Sequence, residues 1–214
     1  MAKLDVSPTK SSLLALRRQL ESAEEGFDLL EQKRQILIVE LMGRLARARE
    51  AERRVEAALR NTFTALQRAT LDIGSVALDR AANCVQLNHR VNVTYQHLMG
   101  LRLPRVHPEI EPVRVQFGVS TTSGNTDTAM RQFVELLPAL AELAELQTAV
   151  LRLAHELKKT QRRCNSLSKI FIPSYRETIT YITATLEERE REAFVIFKMI
   201  RDRMARNEEE PCAK

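Results

Sequence analysis

The sequence predicts an all-α fold: a long antiparallel two-helix coiled-coil hairpin from the N- and C-terminal segments, with a small β-hairpin and short helices in the middle. Three observations predict it. The composition is typical of long helices, because 29% of the 214 residues are charged, 5% are aromatic and only six are glycine. Apolar residues in both terminal segments recur at alternating spacings of three and four. The segment between them alternates with a period of two, which indicates strands.

These patterns also set the expected boundaries. The N-terminal coiled-coil helix should occupy 8–73, the middle segment 74–128 and the C-terminal coiled-coil helix 129–206, with 207–214 as a flexible tail. Each long helix would measure on the order of 90 to 100 Å at 1.5 Å per residue. Neither helix could bury its apolar stripe alone, so the two should pair as an antiparallel hairpin.

The N-terminal helix is predicted by the absence of proline from 9 to 103. Ser7 as N-cap and Pro8 in the first turn predict that it starts just before Lys10. Steps of three and four from Leu13 give fourteen positions, and all but two arginines are apolar. A seven-residue period held this long indicates a coiled coil. The positions are Leu13, Leu16, Leu20, Ala23, Phe27, Leu30, Arg34, Leu37, Leu41, Arg44, Ala48, Ala51, Val55 and Ala58.

The C-terminal helix repeats the pattern. Pro173 lies within it and should kink the helix or open its hydrogen bonds locally, because proline lacks a backbone donor. Pro138 is interpreted as an early turn. The expected contact positions are Leu146, Val150, Leu153, Leu157, Thr160, Cys164, Leu167 and Phe171, followed by Tyr175, Ile182, Leu186, Ile196 and Ile200. The contact positions of both helices together form the predicted seam.

The middle segment is expected to form a β-hairpin. The alternation from Leu87 to Tyr95 predicts one strand, and the apolar runs at Leu101–Val106 and Val113–Phe117 are candidates for its partner. Residues 120–128 are all small or polar and are interpreted as a loop. Asp127 or Thr128 would then cap the returning helix.

Charge and motif content argue against several function classes. The net charge is +5, but 28 acidic residues are mixed with 33 basic ones, which is typical of solvated helix faces and does not favour nucleic-acid binding. Gly118 and Gly124 lack the spacing and the lysine of a nucleotide-binding loop. No stretch approaches the roughly 18 uncharged apolar residues of a membrane span, so no direct membrane insertion is expected.

Metal binding, redox chemistry and cofactors are not expected either. His89, His97 and His107 have no ligand spacing. The three cysteines are odd in number and far apart, which favours a reducing, cytosolic compartment. Cys164 falls on the apolar stripe and should be a small core residue. The arginines that interrupt the N-terminal stripe, Arg34 and Arg44, are interpreted as solvated residues at its edge, with register marking or a partner contact as the alternatives.

Two motifs at opposite ends of the chain resemble one family. The run PTKSSLLALRRQLESAEEGFDLLEQKRQIL resembles the opening signature of the D subunits of V-type and A-type ATPases, and a second signature precedes an Ile-Pro pair. The sequence departs from the second signature at three positions and keeps little of the family's middle motif, so it is a divergent member. The second signature matches at Arg162, Arg163, Asn165, Leu167, Ile172 and Pro173, departs at Cys164, Ser166 and Ser168, and the middle motif is reduced to Leu98, Met99 and Gly100.

This resemblance implies a non-catalytic central rotor shaft. Such a shaft couples ATP hydrolysis or synthesis in a hexameric catalytic head, built from the A and B subunits, to proton or sodium transport through the membrane sector. The implied partners are that head, the small F subunit of the stalk and the C subunit of the socket, and the implied location is cytoplasmic and peripheral to the membrane. Motif position and charge make Lys10, Arg17 and Arg18 the expected contacts near the head, and Arg162 and Arg163 those lower on the shaft.

Two other functions use similar helices. A cytosolic coiled-coil scaffold or adaptor would show the same heptads, but not the paired motifs. The shaft of an F-type ATP synthase would need a larger α/β domain between its helices than this middle segment provides.

Overall fold

The computed structural model describes residues 4–85, 89–112, 114, 118 and 122–209. The all-α prediction is confirmed, because long helices at both ends of the chain flank a small two-stranded sheet. A π-helical turn, Leu167–Phe171, separates the last two helices. The other elements are α1 (Lys10–Ile73), α2 (Ser75–Cys84), β1 (Arg90–Leu98), β2 (Leu101–Glu109), α3 (Gly124–Ser166) and α4 (Ile172–Glu209).

The chain forms two compact units. The terminal unit comprises Met1–Arg34 and Lys159–Lys214, and the middle unit comprises Gln35–Lys158. In the terminal unit the N-terminal part of α1 runs antiparallel to α4, because Lys10 pairs with Glu190 whereas Glu24 pairs with Arg176.

In the middle unit the rest of α1 runs antiparallel to α3. Arg54 pairs with Glu142, and the rings of Phe63 and Phe133 meet edge to face at 5.9 Å between centroids. Two buried clusters hold the unit together. One contains Leu37, Leu103, Ala149 and Leu153, and the other contains Ala48, Ala51 and Leu146.

The start of α1 is capped by Thr9, so the prediction of Ser7 as the cap is wrong. Thr9 Oγ1 accepts a hydrogen bond of 3.2 Å from the backbone N–H of Ser12, the third helical residue. The residues before the helix lie along α4, where the N–H of Leu4 donates to Thr178 Oγ1 and Arg189 donates to the carbonyl of Pro8.

The predicted seam is confirmed along α1, where all fourteen positions are buried or half-buried. On the C-terminal side the prediction holds as far as Leu167, then fails at Phe171, which is exposed. It fails again at Ile196 and Ile200, which are 56% and 50% exposed. Since α1 begins opposite Glu190, the part of α4 beyond that residue has no α1 surface beside it.

The predicted opening at Pro173 is confirmed. Immediately before it, the N–H of Ile172 donates to the carbonyl of Leu167, five residues back, which is the hydrogen bond of a π-helix. The wider turn shifts the seam, so that Ser174 and Thr178 are buried whereas Phe171 is not.

Pro138 lies inside α3, about four turns from its start and within the predicted C-terminal helix. The predicted loop is too long, since α3 already begins at Gly124 and the proposed caps, Asp127 and Thr128, lie inside it. Small polar residues suit its first turn: Asn125 donates to Asp72 on α1, and the hydroxyl of Thr128 donates to the carbonyl of Gly124.

The β-hairpin is confirmed, with β1 and β2 antiparallel and Leu98 opposite Leu101. Met99 and Gly100 form its two-residue turn and both have positive φ, 49° and 81°, as a type I′ turn requires. Leu87, where the first strand was expected to begin, lies outside the described residues. So does the candidate partner run Val113–Phe117, except for Arg114.

Candidate partner-binding surfaces

The predicted head contacts lie on the first turns of α1. Lys10, Arg17 and Arg18 are all exposed. Lys10 Nζ lies 2.7 Å from Glu190 Oε1, and this contact raises the pKa of Lys10 and lowers the pKa of Glu190. Lys10 therefore joins α1 to α4 within the chain, which sequence reasoning did not predict.

The predicted lower contacts, Arg162 and Arg163, are exposed on α3. Their neighbour Gln161 accepts a hydrogen bond of 3.0 Å from Arg34 on α1. From Arg34 to Lys10 the distance along α1 is about 36 Å. The structure therefore does not bring the two sets of basic residues together into one site.

The two seam arginines, Arg34 and Arg44, are half-buried rather than fully solvated. Arg34 donates to Glu31 as well as to Gln161, and Arg44 Nε lies 2.7 Å from Glu40 Oε1. Nearby Cys164 is 2% exposed, and burial raises the pKa of its thiol. The thiol is therefore protonated at neutral pH, and the prediction that Cys164 is a core residue is confirmed.

A first apolar surface, the apolar tip, lies on α4 beyond Glu190. Its side chains are between 50% and 72% exposed and point in several directions, because four of them are consecutive in a helix. Sequence reasoning assigned two of them to the seam and missed the rest, although the run AFVIF was the available signal. The apolar tip consists of Phe194, Val195, Ile196, Phe197, Met199, Ile200 and Met204.

A second surface, the α1 patch, lies in the middle unit. It consists of Ile36, Ile38, Val39 and Met42, with exposed fractions from 37% to 74%. Most of it faces away from Leu37, which is fully buried against α3 and β2. Apolar residues on both sides of a helix indicate a second packing partner.

The residues that the structure describes contain neither a metal-binding group nor a membrane-spanning helix. Within them, no group of three or more His, Cys, Asp or Glu side chains could hold a metal ion. Among the helices described, none is both long and apolar enough to cross a membrane.

Comparison with known proteins decides the family. The model that matches residues 12–202 describes the D subunit of ATP synthase. The chain belongs to this family. Among its relatives, the V-type ATP synthase D subunit of Thermotoga neapolitana is 33% identical over 95% of this chain and 100% of its own length.

Other D subunits to which the chain is similar are archaeal and bacterial. The A-type ATP synthase D subunit of Methanopyrus kandleri is 35% identical over 94% of this chain and 88% of its own length. The V-type ATP synthase D 2 subunit of Treponema pallidum is 36% identical over 94% of this chain and 96% of its own length. The family predicted from the two sequence motifs is thus confirmed, because the match extends over nearly the whole chain.

Proposed function

We propose that the chain is the non-catalytic central rotor shaft of a V-type or A-type rotary ATPase. It couples ATP hydrolysis or synthesis in a catalytic head to proton or sodium transport in the membrane sector. The observation that carries this proposal is the family match across 12–202, together with relatives named as subunits of V-type and A-type ATP synthases. In this function the chain lies on the cytoplasmic side, peripheral to the membrane.

The apolar tip supports a rotating contact with the hexameric head of A and B subunits. Hydrophobic attraction has no preferred direction, so an apolar helix end can turn inside an apolar sleeve with little change in energy. A ring of strong ion pairs would instead favour particular angles. The head is also proposed to contact Lys10, Arg17 and Arg18, which lie on the first turns of α1. At these positions an attraction that depends on the rotation angle would transmit torque.

The α1 patch supports a fixed contact with the small F subunit of the stalk. Burial of these four apolar side chains against a helix or sheet of a partner would favour such a contact by about 25 cal/mol for each Å² removed from water. Further partner contacts are proposed at Arg162 and Arg163.

The C subunit of the socket is proposed to bind the end of the middle unit around α2.

The test is reconstitution of the full chain with the A, B and F subunits. We expect one copy of the chain to co-elute with each head and to turn during ATP hydrolysis in a single-molecule assay. A stable homodimer that ignores the head would contradict the proposal and favour the coiled-coil scaffold.

The predicted basic contacts are tested in the same assay. Alanine at Arg17 and Arg18 should weaken coupling between ATPase activity and rotation, whereas alanine at Arg162 and Arg163 should weaken assembly with the F subunit. Alanine at Arg68, which is exposed on α1 in the middle unit, is the control. Unchanged assembly and coupling in a variant would remove those residues from the contact surface.

A further inference from the structure

We propose that residues 4–9 form a strap that keeps the apolar tip free of its own chain. The strap precedes α1 and folds back beside α4, where two hydrogen bonds hold it. In this position it lies along a stretch of α4 that comes before the tip. A helical strap would instead prolong α1 and cover the tip. The proposal does not depend on the shaft function.

Two anchors hold the strap on α4. The N–H of Leu4 donates over 3.2 Å to Thr178 Oγ1, and Arg189 donates over 3.0 Å to the carbonyl of Pro8. Thr178 is fully buried, and its hydroxyl donates over 2.7 Å to the carbonyl of Ser174. Because the single hydrogen of this hydroxyl is committed to Ser174, its oxygen is held in place to accept the N–H of Leu4.

The strap leads away from the apolar tip. It runs in the same direction as α4, since Thr178 and Arg189, its two anchors, lie about 16 Å apart along that helix in the same order as their partners in the strap. The chain then reverses into α1, which begins at Lys10 beside Glu190. The tip begins at Phe194, just beyond this pair. The anchors therefore place the strap on the opposite side of Glu190 from the tip.

The sequence of the strap suits an extended chain rather than a helix. Leu4, Val6 and Pro8 are half-buried whereas the residues between them are exposed, and a period of two is that of an extended segment. Pro8 lacks the N–H that a helix interior needs, and its ring would crowd the carbonyl of Leu4. Thr9 caps α1 by accepting the N–H of Ser12. These features end α1 before it reaches the tip.

A helical strap would lie beside the apolar tip. Because α1 and α4 are antiparallel, each residue back from Lys10 lies beside one further on from Glu190. Val6 would then lie beside Phe194, which is 72% exposed. Exposed apolar surface attracts apolar segments, and the strap adjoins α1 at this end. The position of the strap therefore decides whether the tip is covered by its own chain.

The heptad pattern would continue through such an extension. Val6 precedes the seam residue Leu13 by one heptad, and Ile196 follows the buried Ile182 by two heptads. Both residues would thus fall on the seam of a longer coiled coil. Holding the strap back leaves Ile196 and its neighbours accessible to another molecule.

The first experiment releases the strap in the full chain. Thr178→Val keeps the shape of the side chain but removes the acceptor, so the amide of Leu4 should exchange with solvent about tenfold faster. Thr183→Val is the matched control, because the Thr183 hydroxyl also donates to the carbonyl four residues earlier, that of Ile179. Equal acceleration in both variants would show that Thr178 does not anchor the strap.

The second experiment allows the strap to become helical. Pro8→Ala combined with Thr178→Val removes both the proline and the first anchor. The amides of Lys10 and Ser11 lie in the first turn of α1, where N–H groups have no carbonyl of the same helix to bond. In the double variant the strap would supply those carbonyls, so both amides should exchange about tenfold more slowly.

Coverage of the tip is measured through a thiol. Ile196→Cys places the thiol on the tip, and its rate of reaction with a maleimide reports its exposure. Adding the double substitution should lower that rate by about tenfold, because the prolonged α1 would bury the position. Lys158→Cys, on the exposed surface of α3, is the control and should react at the same rate with and without the double substitution.

Two outcomes of the second experiment would overturn the proposal. Unchanged exchange of Lys10 and Ser11 would show that the proline and the anchor do not stop α1. Slower exchange there without slower labelling at position 196 would show that a longer α1 leaves the tip exposed. The amide of the buried Leu153 checks that the double variant remains folded, and Pro8→Ala alone provides the same measurements if it does not.

Discussion

At the scale of single residues, burial separates two isoleucines that the sequence pattern treated alike. Ile182 is fully buried in α4, whereas Ile196 on the same helix is 56% exposed. Ile182→Ala should lower the free energy of unfolding by about 2 to 5 kcal/mol, because it leaves a cavity. Ile196→Ala should change it by less than about 0.5 kcal/mol. Urea unfolding of both variants measures this, and similar losses would contradict the assignment of Ile196 to the apolar tip.

The Lys10–Glu190 contact predicts a pH dependence. The folded-state pKa of Lys10 is raised, so its contribution is present below the unfolded pKa and lost as pH rises through the folded value. The folded-state pKa of Glu190 is lowered, so its contribution is present above the unfolded pKa and lost as pH falls through the folded value. The pair therefore acts between about pH 4 and pH 10.

Both side chains of this pair are exposed, so the effect should be small. Lys10→Gln should lower Tm by at most about 2 °C near neutral pH, and the difference should vanish at both pH extremes. Thermal unfolding across pH checks this, with Lys158→Gln on the exposed surface of α3 as the control. A difference that persists in acid would show that Lys10 acts by packing.

At the scale of elements, the π-helical turn should be the weakest part of the C-terminal helices. Its amides at Lys169, Ile170 and Phe171 should exchange faster than those of Leu153 to Thr160, because the turn buries no residue. Pro173→Ala restores a backbone donor and should slow that exchange. Equal exchange along the whole region would contradict this expectation, and Pro138→Ala, inside α3, is the matched control.

The apolar tip should be dispensable for folding. A chain that ends at Ala193 loses no side chain that the structure describes as buried, so its unfolding free energy should stay within about 0.5 kcal/mol of the full chain. Rotation within the reconstituted head should nevertheless be impaired. A large loss of stability would show that the tip packs on its own chain, and intact rotation would show that the head does not need it.

At the scale of the whole molecule, the isolated chain should self-associate weakly. Exposed apolar surfaces of this extent bind other apolar surfaces. We expect light scattering to rise with concentration and to fall when the F subunit is added. The double substitution Val39→Ser and Met42→Ser should likewise lower the scattering, whereas Ser22→Ala on exposed α1 surface should leave it unchanged.

The sequence predicted most of this fold, and the reasons are physical. A seven-residue period from Leu13 to Ala58 can be satisfied only by a long helical contact, so the seam was predictable without a structure. Helix ends were less predictable, because Ser7 and Thr9 are both good caps and only the geometry selects Thr9. Pro138 does not end α3, because tertiary packing can hold a proline within a helix.

The candidate surfaces were less predictable than the fold. Spacing assigned Ile196 to the seam, since a pattern in one helix does not show where its partner helix begins. The outward-facing positions of Pro104 and Pro108 on β2 were also not predictable from the sequence, because they depend on the hairpin register. Charge and motif position selected the arginines, and the structure shows all four of them as exposed.

The threonines of α4 have a consequence for the shape of that helix. Thr178, Thr180, Thr183 and Thr185 each donate a hydroxyl hydrogen bond to the carbonyl four residues earlier, at 2.7 to 3.0 Å. A carbonyl that accepts a second hydrogen bond tilts from the axis, and such bonds often bend helices. The helical step of about 100° per residue places the four threonines on two roughly opposite faces of α4, so their tilts do not add to one net bend. Such bonds should instead slightly weaken the helical hydrogen bonding of this stretch, which makes it the part of α4 that bends most easily under load.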